Sequence, residues 1–518
     1  MDLSTLLIAL MVLPLLATII MALLPSKSVP QYAYEGVHVV SIASVLVLGL
    51  YLVFQEFITG QTIMTGGMWF RLDALSSVFV ALIAVIGSLV GIFSIPYIQH
   101  DVESGAMKAG QVKTYYSFFS LFLFTMLLSA LSNNIIMMWI CIEATTLATV
   151  FLVGAYQTKL ALEAAWKYVI VCTAGVAFGL YGTLLVYANA AQVLEDNAQA
   201  AFWTAIVPHA DKLDPAVMAI AFTFIVVGFG TKAGLFPMHT WLPDAHSEAP
   251  SPVSALLSGV LLKCAVLVII RFYILTAGCL GATYPQTILI ALGALSVVIA
   301  ALSVYLQDDL KRKLAYHSCE NIGIVVLCLG FGGPVGVAAA LLHCVFHGFT
   351  KALLFCISGN VLMKFGTRDL NKISGVLEVA PKTAVLMAVG FFALAGFPPF
   401  AMFTSEMGAF VAGVDGGYLW LIVVFALALT VVVAACVHVV AQAVFGHAPD
   451  TVEKGEVPLM AIVPEVVLAA VILWFGVALP QPVLTGVDSA TSIVMQQDVD
   501  PLDSGSLLGG IANVNFTD

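Results

Sequence analysis

Apolar stretches of about 20 residues follow one another along this chain with only short polar breaks. That is the length a helix needs to cross a bilayer. Fourteen spans are predicted, at roughly 3–24, 36–55, 73–96, 114–131, 134–156, 164–189, 215–236, 252–275, 285–305, 314–331, 335–360, 383–410, 418–445 and 458–479. Lipid offers the backbone no hydrogen-bond partner, so each span must satisfy its own amides as a helix. The predicted fold class is therefore an all-α polytopic membrane protein. The tail from about 480 is polar and is expected to be extended or bound to a neighbour.

Composition sharpens this picture. The 518 residues are 61% hydrophobic and only 9% charged, with a mean hydropathy of +1.05. No soluble domain has that balance, and no stretch is left for a large water-soluble or nucleic-acid-binding module. The opening MDLSTLLIALMVLPLLATIIMALL lacks a basic start and a clear cleavage site, so it reads as a retained first span. The nine cysteines form no CxxC pair, which argues against a disulfide framework, a metal site or an iron–sulfur cofactor. The net charge of −11 owes part of its size to the acidic tail QQDVDPLD.

Basic residues orient the chain. With the N-terminus outside, Lys27, Lys108, Lys113, Lys159, Lys167, Lys311, Arg312, Lys313, Lys364, Arg368, Lys372, Lys382 and Lys454 all fall on inner loops. Only Arg71, Lys212 and Arg271 fall outside. Both termini are thus expected on the outer side of a cell inner membrane. The remaining three lysines, Lys232, Lys263 and Lys351, lie within or against spans.

Those lysines have company. Glu143, Glu320, His343, His347, Glu406 and His438 also fall in apolar runs. Each ionisable group at the bilayer centre costs roughly 2.5–3.5 kcal/mol on insertion scales, so such groups must face one another or water. His343, His347 and Lys351 are spaced i, i+4, i+8 and share a helix face. Two histidines at that spacing can bind zinc, but no further Cys or carboxylate shares the stripe to complete a site. A proton relay uses the pair's titration near neutral pH, and simple hydrogen bonding to neighbouring helices is the plainer alternative. Glu143 and Lys232 are suited to be a pair whose changing separation moves a proton. A static salt bridge between two spans would use the same residues. His239, His246, His317, Glu320 and His438 are further, weaker candidates.

The spans are also interrupted. Pro237 breaks the seventh and Pro398-Pro399 the twelfth, and paired breaks of this kind mark transport sites in inverted-repeat transporters. Glu143 to Glu320 is 177 residues, Lys232 to Glu406 is 174 and Lys263 to His438 is 175. Each step equals five spans, an odd number, so spans 4–8 and 9–13 are predicted to be two inverted five-helix repeats. The implied division is 1–110 for three N-terminal spans, 111–277 and 278–447 for the repeats, and 448–518 for the last span and tail. The prolines do not follow the same offset.

The stretch LFPMHTWLPDAHSEAPSPVSALLSGVLLK resembles a signature of the antiporter-like proton-conducting subunits. These belong to respiratory complex I, the multisubunit cation/proton antiporters and the group 4 membrane-bound hydrogenases. DDLKRKLAYHSCENIG resembles the family's second signature, and LLHCVFHGFTKALLF its eleventh span. The resemblance covers about residues 70–450 and leans toward the hydrogenase-4 and formate-hydrogenlyase branch. It implies that Glu143 is the fifth-span glutamate paired with the seventh-span lysine, Lys232. It implies that Lys263 is the mid-membrane lysine of span eight, and that His343, His347 and Lys351 form the eleventh-span relay. Glu406 takes the twelfth-span Lys/Glu position. Complex I subunits commonly carry a His in span ten where this chain has Asn321, beside Glu320. The long lateral helix of one family member is expected to be absent.

The function that follows is proton translocation within a redox-driven complex, with no bond chemistry and no cofactor in this subunit. Partners would be other membrane subunits, a peripheral redox arm and lipid. Alternatives are a cation/proton antiporter subunit of Mrp type, the membrane subunit of an ion-gradient-driven inorganic-carbon uptake complex, and a membrane anchor with a vestigial channel.

Overall fold

The structure is a computed structural model describing residues 2–25 and 29–502. Lys27 and the end of the acidic tail lie outside the described residues. Among the described residues, thirteen helices are long and apolar enough to cross a membrane. They are α1 (Leu3–Leu23), α2 (Gln31–Thr59), α3 (Ala74–Glu103), α4 (Ala109–Leu131), α5 (Ile135–Val153), α6 (Lys159–Val193), α7 (Pro215–Glu248), α8 (Ser251–Leu280), α9 (Thr283–Tyr305), α10 (Leu310–Phe331), α11 (Gly333–Phe365), α13 (Leu419–Val444) and α14 (Leu459–Val477). Between α11 and α13 runs α12, in two shorter pieces, Pro381–Leu394 and Ala401–Asp415. The chain is a multi-pass membrane protein; thirteen of the fourteen expected spans are these long helices, and the twelfth is the broken α12.

Helix starts are written in side chains that accept the first free amides. Asp73 caps α3 through Ser76 N at 2.9 Å, and Asn134 caps α5 through Ile136 N and Met137 N, both at 3.0 Å. Asp214 and Asp309 cap α7 and α10 in the same way. Several helices outrun the apolar stretches that announced them. The longest, α6, has 35 residues, because polar ends continue the helix beyond the hydrocarbon.

The most deeply buried helices are α8, α10 and α11, whose described faces are almost wholly covered. α5, α6, α13 and α14 instead turn large apolar side chains outward, including Phe151, Trp166, Trp420 and Trp474. Small residues bring pairs of helices together, as membranes favour. A side chain on Gly228 of α7 would lie 2.3 Å from the backbone of Gly179 on α6.

One small element was not foreseen and one expectation is corrected. A short antiparallel hairpin, Ile63–Thr65 with Phe70–Leu72, precedes α3. And the tail is not extended: Gln481–Met495 forms a further helix, α15, that packs on α2, α3 and α11 of this same chain. Its Leu484, Val487, Ala490 and Val494 are buried, so an apolar stripe in a polar segment was enough to fold it back.

Candidate functional site

α7 is interrupted directly after Lys232. Its first half ends at Ala233, Gly234 turns left-handed at φ 83°, and a new helix starts at Trp241. A broken helix exposes carbonyls that need donors. The Trp241 indole donates to Thr231 O at 2.8 Å, and Ser296 Oγ accepts from Phe236 N at 3.0 Å. Lys232 is fully buried beside this break. Its ammonium donates to Thr146 on α5 at 2.8 Å and to Tyr168 on α6 at 2.6 Å, and lies 4.7 Å from the Tyr168 ring centre.

Glu143 does not touch it. That carboxylate is half-buried at the bundle edge and accepts from Thr173 Oγ1 at 2.9 Å. The expected pair is therefore separated in this structure, with hydroxyls of α5 and α6 holding the lysine instead.

Lys263 follows a π-helical turn, Leu257–Leu261. Such turns release a carbonyl from the regular ladder and are frequent at functional sites. Here Lys263 Nζ donates to Ser258 O at 2.5 Å, and Ser258 Oγ meets Ser318 Oγ of α10 at 2.7 Å. Gly259 and Gly348 let α8 and α11 approach at backbone distance, since a Cβ on Gly348 would sit 2.9 Å from Gly259 O.

The α11 stripe is fully buried as a unit, with His343, His347 and Lys351 all 0% exposed. The His343 and His347 rings are 6.1 Å apart and nearly parallel, at 12°. His343 Nε2 meets Asn321 Oδ1 at 3.0 Å and its Nδ1 meets Ser405 Oγ of α12 at 2.9 Å. Asn321, standing where complex I subunits commonly have a histidine, is thus joined to the stripe directly. Both ring nitrogens of His347 are buried with no hydrogen-bond partner. Lys351 donates to Leu314 O and lies 5.0 Å from the Phe355 ring centre.

Glu406 follows Ser405 and closes this group. Its carboxylate rests against the bare backbone of Gly396 at the α12 break, where a Cβ would lie 2.0 Å from Oε2. Gly396 also has φ 66°, so glycine is required there twice over, for the turn and for the space.

The weaker candidates divide. His317 is buried, 4.0 Å from Glu320 and 3.7 Å from Cys436 Sγ, and Glu320 accepts from Asn321. His246 is buried with both ring nitrogens unpartnered. His239 is half-buried beside the α7 break, near the Phe236 and Tyr316 rings. His438 is exposed on the outer flank of α13 and joins none of these groups; that face of α13 turns away from the bundle.

Several buried carboxylates are not singled out by the sequence reading, among them Glu56, Asp73, Asp101 and one deep in a span. Glu465 on α14 is 0% exposed and accepts from Asn360 Nδ2 of α11 at 2.8 and 2.9 Å. The signal was present, a carboxylate within LMAIVPEVVLAAVILWFGV.

On the basic face, the end of α7 meets the start of α10. Asp244 pairs with Lys167 at 2.5 Å and with Arg312, while Arg368 pairs with Asp309 at 2.7 Å and with Glu248. These contacts tie the two signature stretches together.

Comparison with known proteins places this geometry. Residues 132–432 match the family described as "NADH:quinone oxidoreductase/Mrp antiporter, TM", and residues 63–105 match "NADH-Ubiquinone oxidoreductase (complex I), chain 5 N-terminus". The hydrogenase-4 component F homolog of Methylacidiphilum infernorum is 41% identical over 340 residues, 66% of this chain and 71% of that protein. Hydrogenase-4 component B of Escherichia coli is 29% identical over 348 residues, 65% of this chain; the chain spans about half of that relative, 49%. Among solved structures, a chain of the archaeal membrane-bound sulfane sulfur reductase superposes with a TM-score of 0.84 at 24% identity, covering 95% of this chain and 98% of that one. A chain of the Mrp complex from Dietzia superposes at 0.80 and 18% identity, over 99% and 100%. These two likenesses establish the fold. The chain belongs to the NADH:quinone oxidoreductase/Mrp antiporter family, as an antiporter-like, proton-translocating membrane subunit of the kind found in multisubunit complexes.

Proposed function

We propose that protons cross this subunit along Glu143, Lys232, Lys263, His347, His343 and Glu406, with Lys351, Glu320 and His317 as a side branch, and that electron transfer in a peripheral arm drives them. The observation that carries this reading is the α11 stripe. Three titratable groups lie stacked and wholly buried, one with both ring nitrogens unpartnered, and His343 bonds Ser405, the residue before the Glu406 carboxylate at a helix break. Buried polar groups without protein partners normally hold water, which is what a relay through a lipid-thick bundle needs.

The separation of Glu143 from Lys232 supports a switch. Lys232 rests on two neutral hydroxyls, and the approach of Glu143 would raise its hold on a proton. The two-repeat organisation is supported by a shared plan. The fourth helix of each set, α7 and α12, is broken, and the fifth, α8 and α13, carries a π-turn, at Leu257–Leu261 and Val440–Val444. The cluster of Lys167, Lys311, Arg312 and Arg368 on one face supports an inward orientation for that face.

A cation/proton exchange reading is favoured by a relative, the Na(+)/H(+) antiporter subunit A1 of Staphylococcus aureus, 28% identical over 72% of this chain and 47% of that protein. Against it, the row offers isolated carboxylates rather than the several converging oxygens a sodium site needs.

Glu406 tests the reading. Glu406→Gln keeps the size and the contact with Gly396 but cannot bind and release a proton. Proton translocation by vesicles carrying the assembled complex is expected to fall about tenfold or more, with assembly unchanged. Unaltered translocation would remove Glu406 from the path.

A further inference from the structure

A second chain of hydrogen-bonding groups approaches the α11 stripe from the basic face, through a helix outside both repeats. It starts at Asp101, near the end of α3 and 6% exposed. Tyr156, in the turn after α5, donates its hydroxyl to Asp101 Oδ2 at 2.7 Å. The Tyr97 hydroxyl, one turn back along α3, lies 2.9 Å from that of Tyr156. Ser251, at the start of α8, lies beside Tyr97 on its other side, the two side chains meeting over Gly359. Ser251 Oγ is in turn 3.5 Å from Ser358 Oγ on α11. Gly359 makes the meeting possible: a Cβ there would lie 3.0 Å from both the Tyr97 ring and the Ser251 side chain.

Ser358 Oγ donates to Phe355 O at 2.6 Å, one turn back on α11, and the Phe355 ring lies against both His246 and Lys351. The His246 ring stacks on Phe355 at 5.0 Å, and the Lys351 ammonium lies 5.0 Å from the centre of the same ring. Both His246 nitrogens are buried and unpartnered, the state of a group that water serves. Ser254 holds the His246 backbone carbonyl at 2.8 Å, which fixes the end of α7 against α8.

We propose that Asp101 is a proton-uptake group on the basic face, and that Tyr156, Tyr97, Ser251 and Ser358 conduct from it to His246 and Lys351. The inference rests on the proton-path reading above and adds an inlet that the row does not contain. Tyr156 has one hydroxyl hydrogen and gives it to Asp101, which leaves Tyr97 as the donor to Tyr156. A proton arriving there turns Asp101 into a donor to Tyr156. With each hydroxyl turned the same way, Asp101 passes its proton to Tyr156 as Tyr156 passes its own to Tyr97 and Tyr97 its own to Ser251. One proton is gained at the carboxylate and one is released at the far end, and no hydroxyl changes its charge. The His100 ring lies 3.9 Å from the same carboxylate, and Lys311, 2% exposed, is a further cation buried on this face.

A structural staple between α3 and the turn after α5 would use the same contacts, so the test separates the two. The assembled complex in membrane vesicles is compared as wild type, Tyr156→Phe, Asp101→Asn, Asp101→Glu, Asp101→Ala and Lys232→Ala, by the rate of proton translocation. Tyr156→Phe removes one oxygen and keeps the ring's packing. The inlet predicts at least a fivefold loss in Tyr156→Phe and Asp101→Asn, and near wild-type rates in Asp101→Glu. It also predicts partial recovery of Asp101→Ala when formate, a small proton carrier, is supplied on the basic face. A staple gains nothing from formate. Wild-type rates in Tyr156→Phe and Asp101→Asn, with Lys232→Ala inactive, overturn the inlet and leave the main path standing. An active Lys232→Ala overturns the path itself.

Discussion

Replacing Lys232 by alanine is expected to lower proton translocation about a hundredfold, the low end of what a positioned proton donor contributes. What remains around the site are the hydroxyls of Thr146 and Tyr168, and neither holds an extra proton at neutral pH. The informative companion is Lys232→Arg. Arginine keeps the positive charge and the donors but does not give up its proton in a protein. A lysine that only glued α5, α6 and α7 together would tolerate arginine well. A lysine that loads and unloads a proton would not. Both variants are therefore expected to assemble and both to be inactive, read by a pH-sensitive dye in vesicles alongside native gel analysis. Activity in the arginine variant would make Lys232 structural.

The largest expected effect on stability lies at the opposite face. Asp73, fully buried, pairs with Arg271 at 2.7 Å and with Arg71 at 3.1 Å. Both guanidinium groups lie against the Trp203 ring, 4.5 and 5.4 Å from its centre, and its indole donates to Arg271 O at 2.8 Å. The cluster joins the start of α3, the end of α8 and the segment before α7. Removing one partner of a buried ion pair leaves the other charge without compensation, at about 3–5 kcal/mol. Asp73 also caps α3, worth about 1 kcal/mol more. Asp73→Ala is thus expected to lower the thermal midpoint of the detergent-solubilised protein sharply. Arg71→Ala, at the more exposed member, should cost much less. Equal effects from the two would mean that burial does not set the strength of this cluster.

The buried lysines were legible because any charge stands out against so apolar a background. Lys232, Lys263 and Lys351 each appear in an otherwise greasy run, and all three are fully buried. The breaks in α7 and α12 were legible only in part, since Pro14, Pro96 and Pro464 sit inside apolar helices that run on unbroken. Contacts were less so. Sequence gives the helix on which Glu143 sits but not how that helix is rotated, and here it turns the carboxylate to Thr173. His438 shows the same limit: Cys436, two residues earlier, faces inward to His317, so a residue two along must face out. Glu465 carries the same signal, a carboxylate within an apolar run of α14. Asp101, Tyr97 and Tyr156 could not have been joined from sequence, because Asp101 lies at a helix end where charge is ordinary, and the contact spans 55 residues. The α15 helix hid in a polar segment whose short apolar stripe needs a partner surface to be recognised.

The central claim is that water links the buried titratable groups into one line. A density map of the assembled complex, sharp enough to resolve ordered water, tests it most directly. The account predicts water at both ring nitrogens of His347 and at those of His246, and a continuous file of it between Lys232 and Lys263. Dry, tightly packed surroundings at those nitrogens, with apolar side chains filling the space between the two lysines, would contradict it.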